Sequence, residues 1–171
     1  LPVAAVIALF SFDILLLWTG SVEIASNASP IVSVLVIGTA LNGLTNLPHA
    51  LQIAHGWTKI GIYINLVLIF ILVPSIIVMT GYYGAVGAAS VWVVLNVVYI
   101  AIGVPLTHFR LLRGEALRWF LMDVGPPLAA AVLVTGLGRK FVTSPMSPGM
   151  TVLTLAVLLV SSMLMATLAA S

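Results

Sequence analysis

The sequence predicts an all-α integral membrane protein, a bundle of about six transmembrane helices, and three observations carry that prediction. Hydrophobic residues make up 62% of the 171 positions and charged residues only 6%, whereas a soluble domain wets its surface with roughly 25% charged side chains. The mean hydropathy is +1.28. The apolar residues fall in runs of about 20, the length a helix needs to cross a hydrocarbon core of roughly 30 Å. In lipid every backbone N–H and C=O must be paired within its own segment, so these runs read as helices. The alternating, turn-punctuated pattern of a membrane barrel is absent.

The first predicted span covers residues 2–19 and is closed by Gly20. A polar stretch, Gly20 to Ser29, leads to Pro30, which opens a second span over 30–53. Proline is tolerated in a first helical turn, where its missing N–H has no partner in any case. His55-Gly56 ends that span, and a third follows over 58–80. Gly81-Tyr82-Tyr83-Gly84 reads as a tight turn into a fourth, over 84–106. The charge-rich segment His108 to Asp123 precedes a fifth over 119–137, which holds Asp123, Pro126 and Pro127. The sixth spans 150–170. Pro74 and the Pro126-Pro127 pair predict bends. The six are expected to form one bundle. The first residues already lie in an apolar run with no basic segment before it, unlike a secretory signal. The chain therefore reads as a piece of a longer protein, starting mid-protein.

Lys59, Arg110, Arg113 and Arg118 fall in the loops after the second and fourth spans, against Arg139 and Lys140 after the fifth. The positive-inside rule then places both ends of the chain in the cytoplasm. Trp18, Trp57, Trp119, Tyr82 and Tyr83 sit near span ends, where amphipathic rings anchor at the interface. There are no cysteines, which excludes disulfides and thiolate chemistry. A net charge of +2 gives no basic face for nucleic acid. No set of His, Asp and Glu has metal-ligand spacing, no phosphate-binding glycine loop follows a strand, and no serine has a base partner. No catalytic residue, cofactor or metal is expected, and the chain is not read as an enzyme.

Polar groups inside a membrane are expensive, so their placement carries the functional signal. The second span holds Thr39, Asn42, Thr45, Asn46, His49 and Gln52. At about 100° per residue these occupy one face, which lipid would penalise, so a water-accessible substrate pathway is expected there. Pro48 deprives the Leu44 carbonyl of its donor and predicts a kink. His49 can change charge near neutral pH and is a candidate for proton relay or substrate contact. In the fourth span, Trp92, Asn96, Tyr99 and Gly103 share a face, and Asn96 is expected to line the same interior. Asp13 is an acid within an apolar run, and two readings stand: ion or proton coupling, or a snorkelling and helix-pairing role. Asp123 reads as a solvated charge. Arg110, Arg113 and Arg118 form a basic cytoplasmic patch that marks orientation and could attract anionic headgroups or a pyrophosphate.

The stretch Pro48 to Lys59 resembles the "P-x-x-x-Q-x-A-x-G-x-x-K" turn of bacterial polysaccharide exporters, and Gly81 to Ala130 is more specific. Its "YGAVGAA…W…N" start and its "P-L-x-H…L-x-G-E…W" loop are similar to the O-antigen (Wzx-type) flippases. These belong to the multidrug/oligosaccharidyl-lipid/polysaccharide exporter superfamily. The resemblance implies a two-bundle transporter of about twelve to fourteen helices, of which this chain would be the C-terminal half. It implies flipping of an undecaprenyl-diphosphate-linked oligosaccharide across a bacterial inner membrane by ion-coupled alternating access. The implied partners are that lipid-linked substrate, membrane lipids, the N-terminal half and the polymerase and assembly proteins of surface polysaccharide. Three rivals remain open: a drug or cation antiporter of the same superfamily, a non-transporting scaffold of polysaccharide assembly, and an integral-membrane glycosyl- or acyltransferase. The last is disfavoured by the lack of clustered acids.

Overall fold

A computed structural model of the chain describes residues 1–111, 116–142 and 147–170, and every regular element among them is a helix. In order these are α1 (Pro2–Leu9), α2 (Ser11–Thr19), α3 (Val22–Leu44), α4 (Asn46–Ala54), α5 (Thr58–Leu111) and α6 (Ala116–Arg118). A π-helix (Trp119–Val124), α7 (Gly125–Phe141) and α8 (Pro148–Ala170) follow. Among the described residues, four stretches are long and apolar enough to cross a membrane: Val22–Ala54, Gly61–Phe109, Trp119–Phe141 and Pro148–Ala170. The pair α1 and α2, bent by 72°, makes a fifth if taken as one span.

The distribution of side chains is inverted relative to a soluble protein. Trp18, Phe70, Tyr82 and Phe141 are each at least 73% exposed, while Thr107, Thr135 and Ser162 are fully buried. Large apolar groups on the outside and small hydroxyls on the inside are what lipid selects, because lipid offers helices no hydrophobic drive to associate. Two of these hydroxyls are satisfied on their own helix: Thr135 donates to the Ala131 carbonyl at 2.7 Å and Thr107 to Gly103 at 2.8 Å, while Ser162 Oγ has no hydrogen-bond partner among the described residues.

The chain divides into two compact units, where the sequence reads as a single bundle. The first comprises residues 1–36 and 118–171. In it α7 lies along α8, and α1 packs on both. The expected first span, residues 2–19, is broken at Phe10, which has no proline or glycine beside it. Tertiary bonds hold the break: Ser33 Oγ donates to the Ala8 carbonyl at 2.8 Å and Ser11 Oγ lies 2.7 Å from Ser33 Oγ. The hydroxyl thus supplies a carbonyl left over at the end of α1.

Helix α3 starts at Val22, eight residues before the expected Pro30, which lies inside it. Proline there deprives only the Ser26 carbonyl, and Ser26 is exposed. The fifth span also differs at its start. Prolines 126 and 127 remove two donors, and the chain answers with a π-helical turn in which the Gly125 N–H bonds the Phe120 carbonyl five residues back. The prolines thus open α7 instead of bending its middle. Its end differs too: α7 continues to Phe141, so Arg139 and Lys140 belong to its last turn and not to a loop. Asp123 is exposed.

The second unit comprises residues 37–117. Its main feature is α5, whose 49-residue apolar stretch would run more than twice the roughly 30 Å hydrocarbon core if straight. It turns back at Gly84, with φ +61° and ψ −147°, a region open essentially to glycine alone. The reversal is tight enough that a Cβ on Gly87 would strike the Met79 carbonyl oxygen. Further along, Leu68, Ile71 and Ser75 border the same groove as Val98, Val94 and Ser90. The result is an antiparallel helical hairpin with arms 58–83 and 85–111. Pro74 sits within the first arm with no departure from helical angles.

Candidate functional site

The site is built where α3 gives way to α4. Pro48 cannot supply an N–H to the Leu44 carbonyl, and the α-helical ladder lapses at Thr45, where the sequence predicts a kink. The Thr45 N–H and hydroxyl both bond the Asn42 carbonyl, at 3.0 and 2.7 Å. This tightened turn carries the polar stripe of α3 into α4, opposite the hairpin.

A cavity of about 480 Å³ opens there within the second unit. Asn42, Thr45, Asn46 and His49 line it from α3 and α4, Asn65 from the first hairpin arm, and Asn96 with Tyr99 from the second. Leu68, Ile69, Leu72, Trp92 and Leu95 form its apolar side. No Asp, Glu, Lys or Arg among the described residues lines it.

The wall of the cavity is cross-linked. Asn42 Nδ2 donates to Asn96 Oδ1 at 3.0 Å, and Asn96 Nδ2 donates to the Trp92 carbonyl at 2.8 Å. Asn96 is 4% exposed, so its amide is spent on structure while Asn42, Asn46 and His49 remain exposed. Gly38 on α3 lets the Trp92 ring come close, and a Cβ there would overlap the ring.

The six residues of the predicted stripe do not share one fate. Asn42, Thr45, Asn46 and His49 reach the cavity, as does Asn96. Thr39 is exposed and does not line it. Gln52 is a correction to the expected pathway: it is 2% exposed and lies off the cavity, with Nε2 donating to Thr107 Oγ1 at 2.6 Å. Thr45 and Gln52 occupy one edge of the stripe at about 100° per residue, and that edge is the buried one. Asn65 escaped the sequence reading, although it is a lone amide in an apolar run, which is itself a signal.

Asp13 lies in the first unit and has no part in this cavity. Its carboxylate, 3% exposed, accepts from Arg139 Nη1 at 2.6 Å. The Arg139 guanidinium also sits 5.1 Å from the centre of the Phe10 ring, within range of a cation–π contact. Arg139 reads as a loop charge in the sequence, and its partnership depends on α7 extending to Phe141. Of the expected basic patch, Arg118 is exposed on α6, Arg110 lies in the last turn of α5 with its side chain outside the described residues, and Arg113 lies outside them altogether. Among the described residues no three His, Cys, Asp or Glu side chains cluster as metal ligands. Neither a family model, nor a curated protein, nor a solved structure matches the chain.

Proposed function

We propose that the chain is part of a membrane transporter that carries an undecaprenyl-diphosphate-linked oligosaccharide from the cytoplasmic to the periplasmic leaflet of a bacterial inner membrane. The observation that carries this reading is the cavity bordered on one side by Asn42, Asn46, His49 and Asn65, with no Asp, Glu, Lys or Arg among the described residues lining it. Polar groups persist inside membrane helices chiefly where they line a path or pair with one another. Amides and hydroxyls both donate and accept hydrogen bonds, which suits a sugar, whose surface is hydroxyls. Trp92 and Tyr99 add the rings against which a sugar face can lie.

Counting each hairpin arm as one crossing and α1 with α2 as another, the chain crosses six times and both ends are cytoplasmic. The pairing of Arg139 with Asp13 removes one of two charges that oppose this orientation. The resemblance to O-antigen flippases supplies the substrate class, and the N-terminal half supplies the facing wall.

The apolar side of the cavity favours one rival, a drug antiporter of the same superfamily. A cation site would need a carboxylate, and none among the described residues lines the cavity. A scaffold would bury the stripe in tight contacts, whereas Asn42, Asn46 and His49 are exposed. In the complete protein, His49→Ala and Asn46→Ala are expected to abolish surface polysaccharide with membrane levels unchanged. Normal surface polysaccharide in both variants would overturn the proposal, and loss of dye efflux alone would favour the antiporter.

A further inference from the structure

Buried amide oxygens are nearly always paired, and Gln52 departs from that rule. Its Nε2 is bonded to Thr107 Oγ1, but among the described residues its buried Oε1 has no hydrogen-bond partner. Exchanging the two ends of the amide only moves the problem, since Nε2 would then occupy the buried position that has no partner. Water does not reach Oε1, which has less than 1 Å² of accessible surface. An orphaned acceptor in such a place costs about 1–3 kcal/mol.

The neighbour that can answer it is His49, one turn earlier on α4. A Cβ on Gly61 would lie 3.3 Å from Gln52 Oε1 and 3.9 Å from His49 Nδ1. The missing side chain of Gly61 therefore leaves acceptor and imidazole around one small gap. His49 also borders the cavity, so the same side chain reaches both the gap and the cavity.

We infer that His49 and Gln52 form a proton-binding pair in the cavity wall, in which protonated His49 donates Nδ1–H to Gln52 Oε1 and Nε2–H into the cavity. A neutral imidazole has one N–H and serves either side; the imidazolium has two and serves both. Proton uptake from cavity water therefore creates a donor for an oxygen-bearing ligand and at the same time satisfies Gln52. Because Gln52 is bonded to Thr107, the same event ties α4 to the second hairpin arm. The other titratable side chains described on α4 and α5 near this point are His55, Lys59, Tyr63, Tyr99 and His108. His55 and His108 have Nδ1 bonded to the carbonyls of Leu51 and Val104, both at 2.9 Å, which leaves His49 as the ring facing the gap. The link to transport rests on the cavity being the substrate path; the proton site does not.

The test uses the full chain, labelled with ¹⁵N-histidine, in lipid nanodiscs. The chain has three histidines, and His49→Gln assigns the His49 signals. Spectra at about pH 5 and pH 8 bracket the range in which histidine changes charge. At the lower pH the His49 Nδ1–H is expected as a slowly exchanging signal, because its partner is shut off from water. That signal is expected to vanish in Gln52→Leu and in Gly61→Ala, whose methyl group fills the gap and leaves the Gln52–Thr107 bond in place. Should Gln52→Leu fail to fold, Gly61→Ala decides. No protected signal in the unsubstituted chain, or one that survives Gly61→Ala, overturns the inference. A signal that behaves as expected, with normal polysaccharide export in Gly61→Ala, leaves the proton site standing and removes only its link to transport.

Discussion

Arg139 Nη1 lies 2.6 Å from Asp13 Oδ2, joining residues 126 positions apart in the sequence. Asp13 is in the first turn of α2 and Arg139 in the last turn of α7. Each charge thus sits at the helix end whose dipole favours it. A carboxylate and a guanidinium that meet in this way enter an apolar bundle as a neutral unit.

Removing one member should therefore be worse than removing both. Arg139→Met leaves a buried carboxylate, a type of loss worth about 3–5 kcal/mol when the pair is fully buried. The expected loss is smaller here because Arg139 is 36% exposed. Asp13→Asn combined with Arg139→Met should recover much of it. Thermal unfolding of the three variants in nanodiscs measures this, and a double variant no better than Arg139→Met would refute it.

Gly84→Ala and Gly43→Ala should act with opposite signs. Gly84 holds a backbone conformation that disfavours any Cβ, and strain of this kind is about 1–3 kcal/mol. Gly43 is helical, and a methyl added there would meet nothing within 4 Å; at such a position alanine gains roughly 0.5–1 kcal/mol. Unfolding midpoints that move in the same direction would contradict the hairpin geometry.

Asn42 and Asn96 should be energetically coupled. Their hydrogen bond predicts a coupling of about 0.6 kcal/mol, the average for such bonds in membrane proteins, in a double-mutant cycle of Asn42→Ala and Asn96→Ala. Asn96→Ala should have the larger single effect, since it also releases the Trp92 carbonyl. Strictly additive effects would show that the bond does not contribute.

Gly38→Ala should move Trp92. The added methyl overlaps the indole, and overpacking of this sort costs about 1–3 kcal/mol. Fluorescence of a variant in which the other three tryptophans are Phe should report a changed Trp92 environment; an unchanged spectrum would place the ring elsewhere.

How far the fold is legible in the sequence depends on which physical signal marks each feature. Hydropathy locates where lipid begins, not where a helix begins, so it finds the apolar part of α3 but not its start at Val22. Breaks written into the backbone are visible: Pro48 predicts the lapse at Thr45, and the glycine-tyrosine turn predicts the reversal at Gly84. The break at Phe10 is not, because a serine on another helix holds it. The polar stripe is legible by periodicity, yet its two edges differ only in what packs on them. Gln52 faces Thr107 and Asn46 faces open space for reasons that a single helix does not contain. The partner of Asp13 is hidden for the same reason.

The hairpin of α5 has a further consequence for how the chain is made. Between Lys59 and Arg110 there is no Asp, Glu, Lys or Arg, and the tip carries Tyr82 and Tyr83. A nascent segment of this kind can slip into the bilayer as a pair of arms, because its leading end has no charge to strip of water. Placing an arginine at Tyr83 would raise a barrier to biogenesis in a protein whose finished fold would scarcely notice it.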